Sequence, residues 1–242
     1  MKPYRMATAI LLGWALTMPA SGHTAEEQGR SPAKPSVDVT QGATDMPVYN
    51  PPRRSIPKGR VGGGIRGGDG PALYVLAPDH VGLTKEEQPS LFWYLSKTTS
   101  LPLEFTLIDS RAVKPILEKR LNPPGRPGVQ RISLKDLGVR MEPSVQYKWF
   151  VTLAVGTEAS SKDVVAGGTI ERIPYVEVLV LCEGMNGNTV NELAKCGLWY
   201  DAITTLSEMI EKTPDDRKLR KHRASLLRQV GLWEVARHDS PE

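Results

Sequence analysis

Histidine, cysteine and acidic side chains are where chemistry would start, and this sequence arranges few of them usefully. Its four histidines are His23, His80, His222 and His238. None stands at metal-ligand spacing from another His, Cys, Asp or Glu on a common face. Asp79-His80 closes an expected strand near Asp69; a turn pair is the favoured reading, with a metal or acid–base site as the other. The two cysteines, Cys182 and Cys196, have no neighbouring His to form a reactive thiolate. No Gly-x-Ser-x-Gly, His-Glu-x-x-His or Ser-x-x-Lys motif occurs. The glycine run from Gly59 to Gly68 leads into Pro71 rather than Gly-Lys-Ser/Thr, so it is not a phosphate loop. The expectation is no catalytic set, no metal and no cofactor.

Two readings would put remaining residues to use. Asp79, Glu104, Asp109 and Glu171 could serve an enzyme acting on cell-wall or polysaccharide substrates. That requires two carboxyls facing one cleft, about 5 to 9 Å apart. Trp93, Tyr94 and Trp149 could be stacking platforms of a carbohydrate-binding β-sandwich. Position along the chain decides neither.

The first residues indicate where the protein works. Lys2 and Arg5 precede an uncharged apolar run over residues 6–18, then Pro19 and the small residues Ala20, Ser21 and Gly22. This is the order of a secretory signal peptide over 1–22, and the run is short for a membrane helix. The expectation is an exported protein, periplasmic or secreted, with no transmembrane helix in the mature chain. Removing Lys2 and Arg5 takes two charges from the formal net +4 and leaves +2. So small a charge, and export, argue against nucleic acid as a partner. Export also permits a disulfide. Cys182 and Cys196 would close a loop worth about 3 kcal/mol in the chain-entropy account. Two buried thiols on neighbouring helices are the other option.

Residues 23–71 hold many prolines and the glycine run without a sustained apolar period, which reads as a disordered tether. From 72 to 173, short β-rich runs recur between Pro, Gly and Asp. Strands are expected near 73–77, 91–96, 103–108, 113–121, 129–134, 146–155 and 164–173. Several alternate, as in Leu103-Glu104-Phe105-Thr106-Leu107. Seven such strands suggest an immunoglobulin or fibronectin-III-like antiparallel β-sandwich. Met141, Pro143 and Tyr147 have the spacing of a tyrosine corner, in which a hydroxyl bonds back to the chain before a long strand.

Residues 174–242 read as helical. Gly197-Leu198-Trp199 returns 34 residues later as Gly231-Leu232-Trp233, with Ala202 echoed by Ala236 and Leu193 by Leu227. That is the tetratricopeptide period. Glycine would close each inter-helix turn, and small Ala202 would let helices approach. Two echoes are fewer than a free solenoid needs, so the tail is expected to dock on the sandwich. Arg217, Lys218, Arg220, Lys221 and Arg223 form a basic cluster on an amphipathic helix: its wet face, or a surface for an acidic partner.

Taken in order, several motifs resemble a bacterial family, the domain of unknown function 928. They are Gly82-Leu83-Thr84 with Pro89, Phe92-Trp93-Tyr94, Gly128 with Ile132-Ser133-Leu134, and Tyr147-Lys148-Trp149. Gly168-Thr169-Ile170-Glu171-Arg172 and Gly197-Leu198-Trp199-Tyr200-Asp201-Ala202 complete the set. The resemblance implies secreted or periplasmic proteins and no assigned activity, and it carries over no catalytic residue. Cys182 and Cys196 lie outside these motifs. The functional expectation is a mainly β protein with an α tail, acting as a binding or scaffolding module whose partner is another envelope protein or a cell-wall polymer.

Overall fold

Alternation in the sequence becomes two β-sheets. In the computed structural model, residues 46–52, 59–62, 70–154 and 163–240 are described. The strands are β1 (Val61–Gly62), β2 (Leu73–Val75), β3 (Gly82–Thr84), β4 (Ser90–Leu95), β5 (Leu103–Asp109), β6 (Leu117–Leu121), β7 (Gly128–Ser133), β8 (Gln146–Leu153) and β9 (Val164–Arg172). The larger sheet runs β1-β9-β8-β5-β6, with β3 also paired to β9; the smaller runs β2-β4-β7. Pairing is antiparallel except for β3 on β9. Each expected strand has a counterpart, although the run at 113–121 keeps only Leu117–Leu121. Strands β1 and β3 were not anticipated, being too short to show a period.

Side chains at period 2 bury one face of each central strand. Phe105 and Leu107 on β5, and Trp149, Val151 and Leu153 on β8, are inaccessible to solvent. Phe150, the apolar residue on the outer face of β8, pairs in register with Gly167 and lies across it. At the entry to β8, Glu142 N donates 3.1 Å to Tyr147 Oη, and Ser144 takes φ 61°.

Five helices follow: α1 (Tyr175–Leu181), α2 (Val190–Lys195), α3 (Trp199–Lys212), α4 (Arg217–Gln229) and α5 (Trp233–Asp239). One cluster of buried apolar side chains runs from both sheets into these helices, so the tail shares the core of the sheets. Apolar residues at Trp199, Ala202, Ile203, Leu206 and Ile210 give α3 its buried stripe. The 34-residue echo is geometrical. Gly197 and Gly231 take φ 78° and 74°. Leu198 N bonds to Leu193 O, and Leu232 N to Leu227 O, at 3.0 and 2.9 Å. Both are glycine-closed helix ends of the Schellman type, where a side chain at the left-handed position would be strained. The first helix of the first echo, α2, is less than half as long as its counterpart α4.

The reading of 23–71 as a solvated tether does not hold for its described parts. Tyr49 is buried, edge-on to Trp199 at 4.9 Å and stacked on His80. Asn50 N bonds to Ala194 O, and Gln229 holds Pro47 O and Tyr49 N. Arg60 donates to both Ala77 O and Val230 O, linking the sheets to the end of α4. Burial lowers the pKa of its guanidinium. Spaced single residues with exact partners explain why composition hid this strap. The expected signal peptide, 1–22, and most of the tether lie outside the described residues.

Candidate functional site

The first turn of α3 is the joint of the molecule. Trp199, fully buried, donates its Nε1 to Leu76 O at 2.9 Å. Tyr200 Oη accepts from Trp149 Nε1 at 3.0 Å and donates to Thr169 O at 3.1 Å. Its hydroxyl pKa is pushed up by burial. Two glycines make room: a Cβ on Gly82 would meet the Tyr200 ring at 2.5 Å, and one on Gly168 would meet Ala77 Cβ at 2.6 Å. Asp201 turns to β3, where Lys85 N donates to both carboxyl oxygens, at 3.4 and 3.2 Å. Burial raises the Asp201 pKa to about 7, with Glu86 adding to the rise and the Thr84 hydroxyl opposing it. The motifs around Gly82, Trp149, Gly168 and Trp199 are therefore one packing unit.

A polar cleft of about 420 Å³ opens over this joint, with Asp201, Thr84, Ser90 and Arg131 among its walls. An acid with pKa near 7 is well matched to proton transfer at neutral pH. Both Asp201 oxygens are already held by Lys85 N, however, which is the duty of a staple. Arg131 is drawn across the rim to Glu208 and Glu211, at 3.6 and 3.5 Å.

On the other side of α3, a groove is made by two adjoining clefts of about 670 and 490 Å³ that share Pro214, Arg220 and His238. Beneath it lies a buried ion pair. Arg223 Nε and Nη2 bind Asp239 at 2.6 and 2.7 Å, and Nη1 donates to Ser207 Oγ. Arg223 thus belongs to the buried face of α4, not to its wet face. It falls in step with Leu219, Leu226 and Leu227, a signal the sequence did contain. Around the groove, Arg126, Arg217 and Lys221 have no ion-pair partner among the described residues. His238 packs on Tyr94 with ring centroids 5.0 Å apart. Its pKa is lowered first by burial, then by Arg223 and Arg220, against Asp239.

The structure separates the other residues singled out by sequence. Cys182 and Cys196 are joined as a disulfide with Cα atoms 5.0 Å apart, tying the C-terminal ends of α1 and α2. Ala202 and Ala236 are fully buried at equivalent positions. Trp199 and Trp233 are not equivalent in environment, since Trp233 is 59% exposed at the end of the array. Asp79, Glu104, Asp109 and Glu171 line none of the clefts beside α1, α3, α4 or α5. Trp93, Tyr94 and Trp149 are buried, which removes them as stacking platforms. Among the described residues no cluster of His, Cys, Asp and Glu could hold a metal ion, and no helix is long and apolar enough to cross a membrane. Asp201 and Asp239 carry no local signal in the sequence, since Lys85 is 116 residues from the one and Arg223 sits on a different helix from the other.

No curated protein matches the chain. A family model described as Domain of Unknown Function (DUF928) matches residues 61–240, about three quarters of its length. The chain belongs to that family.

Proposed function

We propose that this protein is an exported, non-catalytic binding or scaffolding module that takes an acidic envelope partner, a protein or a cell-wall polymer, in the basic groove of α4 and α5. One observation carries the reading: Arg126, Arg217 and Lys221 have no ion-pair partner among the described residues and stand, with Asp215 and Glu211 nearby, around a floor fixed by Arg223 and Asp239. Exposed cations grouped on one surface attract an anionic partner through their summed field. In this reading the sheets form an immunoglobulin or fibronectin-III-like sandwich, supported by the Tyr147 contact to Glu142 N. The helices form a short tetratricopeptide-like segment, supported by the twin turns at Gly197 and Gly231. Export rests on the charge–apolar–small order of residues 1–22.

In-cell crosslinking of a tagged chain, with identification of the captured species, tests the proposal. An acidic envelope protein or polymer is expected, captured less at high salt and about tenfold less by an Arg217→Glu/Lys221→Glu variant. Capture that ignores both salt and charge reversal would overturn the reading. A full-length product confined to the cytoplasm would overturn export.

The enzyme reading keeps one observation in its favour, Asp201 at the floor of a polar cleft. An Asp201→Asn variant that abolished hydrolysis of a cell-wall substrate while folding normally would establish it.

A further inference from the structure

The two glycine-closed turns of the helical tail share one backbone geometry, but only the first is covered. There the strap of residues 46–52 crosses Gly197. Tyr49 sets its ring edge-on to Trp199 at 4.9 Å. A Cβ on Gly197 would meet Asn50 O at 2.8 Å and Pro52 Cδ at 3.6 Å. Pro47, Pro51 and Pro52 favour an extended chain over this stretch, which lowers the cost of ordering it. The same Gly-Leu-Trp sequence returns 34 residues on, and among the described residues no such segment lies over it. Gly231 and Trp233 are exposed, Trp233 at 59%. A Cβ on Gly231 would meet nothing nearer than Arg60 Nη2 at 3.7 Å. A cleft of about 300 Å³ opens at this turn, with Tyr74, Leu232, Trp233 and Arg237 among its walls.

We propose that the second turn is a docking site for an extended, proline-flanked segment of a partner protein, anchored by a tyrosine on Trp233. The strap selects this occupant. It shows what a Gly-Leu-Trp turn of this chain takes when covered: an aromatic ring against the indole, and a backbone passing over the glycine too closely to admit a Cβ. The open turn keeps both seats, a bare glycine and an exposed indole. Aromatic-lined clefts are also what extended proline-rich chains dock against. Tyr74, held through its hydroxyl to Glu234 Oε2, adds a second ring to the wall. Arg60 Nη2 is placed to donate to the carbonyl that would stand where Asn50 O stands on the first turn. The grip is weaker than at that turn. There His80 stacks on Tyr49, and Gln229 holds Pro47 O and Tyr49 N; no described helix follows α5 to do the same. The cleft shares no lining residue with the basic groove, so the two sites stand independently.

A synthetic peptide copying residues 46–52, Met-Pro-Val-Tyr-Asn-Pro-Pro with blocked ends, is the probe. It is titrated with the purified full chain and followed by NMR on the peptide's tyrosine ring and on the Trp233 indole. Saturable binding is expected, with a dissociation constant on the order of 1 mM, as one aromatic anchor supports. Nuclear Overhauser contacts should join the tyrosine ring to the indole. Trp233→Ala should weaken binding about tenfold, as should Tyr49→Ala made in the peptide. Gly231→Ala should weaken it several-fold, and carries the test if Trp233→Ala does not fold. Arg217→Glu/Lys221→Glu should leave it unchanged. No saturable binding up to about 10 mM would overturn the proposal. So would binding indifferent to Trp233→Ala, which would place the peptide elsewhere, in exchange with the chain's own strap. Self-association abolished by Trp233→Ala, in place of peptide binding, would assign the turn to a second copy and equally overturn it. Shielding of Trp233 from acrylamide quenching in the free monomer would assign the cover to the same chain, with the same consequence.

Discussion

Tyr200 on α3 and Trp149 on β8 meet through a 3.0 Å hydrogen bond in a fully buried setting, and the Tyr200 hydroxyl donates in turn to Thr169 O. The helical tail is thus wired to the larger sheet by a buried polar chain. Tyr200→Phe keeps the ring but strands Trp149 Nε1 and Thr169 O. The expected cost is about 2–3 kcal/mol, read as a lower urea midpoint with unchanged slope. A neutral substitution would show that the bond chain contributes no net stability.

The carboxyl of Asp201 should give stability an unusual pH slope. Burial raises its pKa to about 7 in the fold, against the ordinary carboxyl value of about 3.9 in the unfolded chain. Between those values the folded chain keeps a proton that the unfolded chain has lost. This contribution is full below about pH 4 and is lost as pH rises to about 7. Asp201→Asn cannot titrate, so it should gain on the natural chain by on the order of 4 kcal/mol between pH 4 and pH 8. Urea melts of both proteins at the two pH values check this; parallel behaviour would reject it.

The buried pair under the basic groove should punish single changes more than paired ones. Asp239→Ala leaves Arg223 charged and enclosed, with an expected loss of about 3–5 kcal/mol. Replacing both, as Arg223→Met/Asp239→Leu, should cost clearly less. A double-mutant cycle by denaturant unfolding separates the two cases.

The twin glycines should differ although their backbones agree. At Gly231 a Cβ meets nothing closer than Arg60 Nη2 at 3.7 Å. Gly231→Ala therefore costs only the strain of its positive φ, about 1 kcal/mol. At Gly197 the Cβ would also meet Asn50 O at 2.8 Å. Gly197→Ala should cost at least about 1 kcal/mol more, because the strap must shift. Thermal unfolding of the two variants side by side gives the comparison.

Opening the Cys182–Cys196 bond frees α1 and α2 from each other. Cys182→Ser/Cys196→Ser should lose about 3 kcal/mol. Reductant should lower the melting temperature of the natural chain and leave that of the variant unchanged.

The sequence by itself determined the periodic parts of this protein. Alternation along 103–108 and 146–155 was enough to place strands, because one side chain in two must leave water. The 34-residue echo was enough to place two helix ends, because only glycine tolerates their backbone. Family membership was legible in the ordered motifs. Tertiary structure alone decided what those motifs are for. Asp201 finds Lys85, Tyr200 finds Trp149, and Tyr49 finds Trp199, all across separations with no local period to betray them. It also put the equivalent tryptophans in opposite settings, Trp199 buried and Trp233 exposed, since burial depends on what lies opposite a residue and not on the residue itself. Among the described residues, the basic groove of α4 and α5 and the apolar face of α1 are among the surfaces left uncovered.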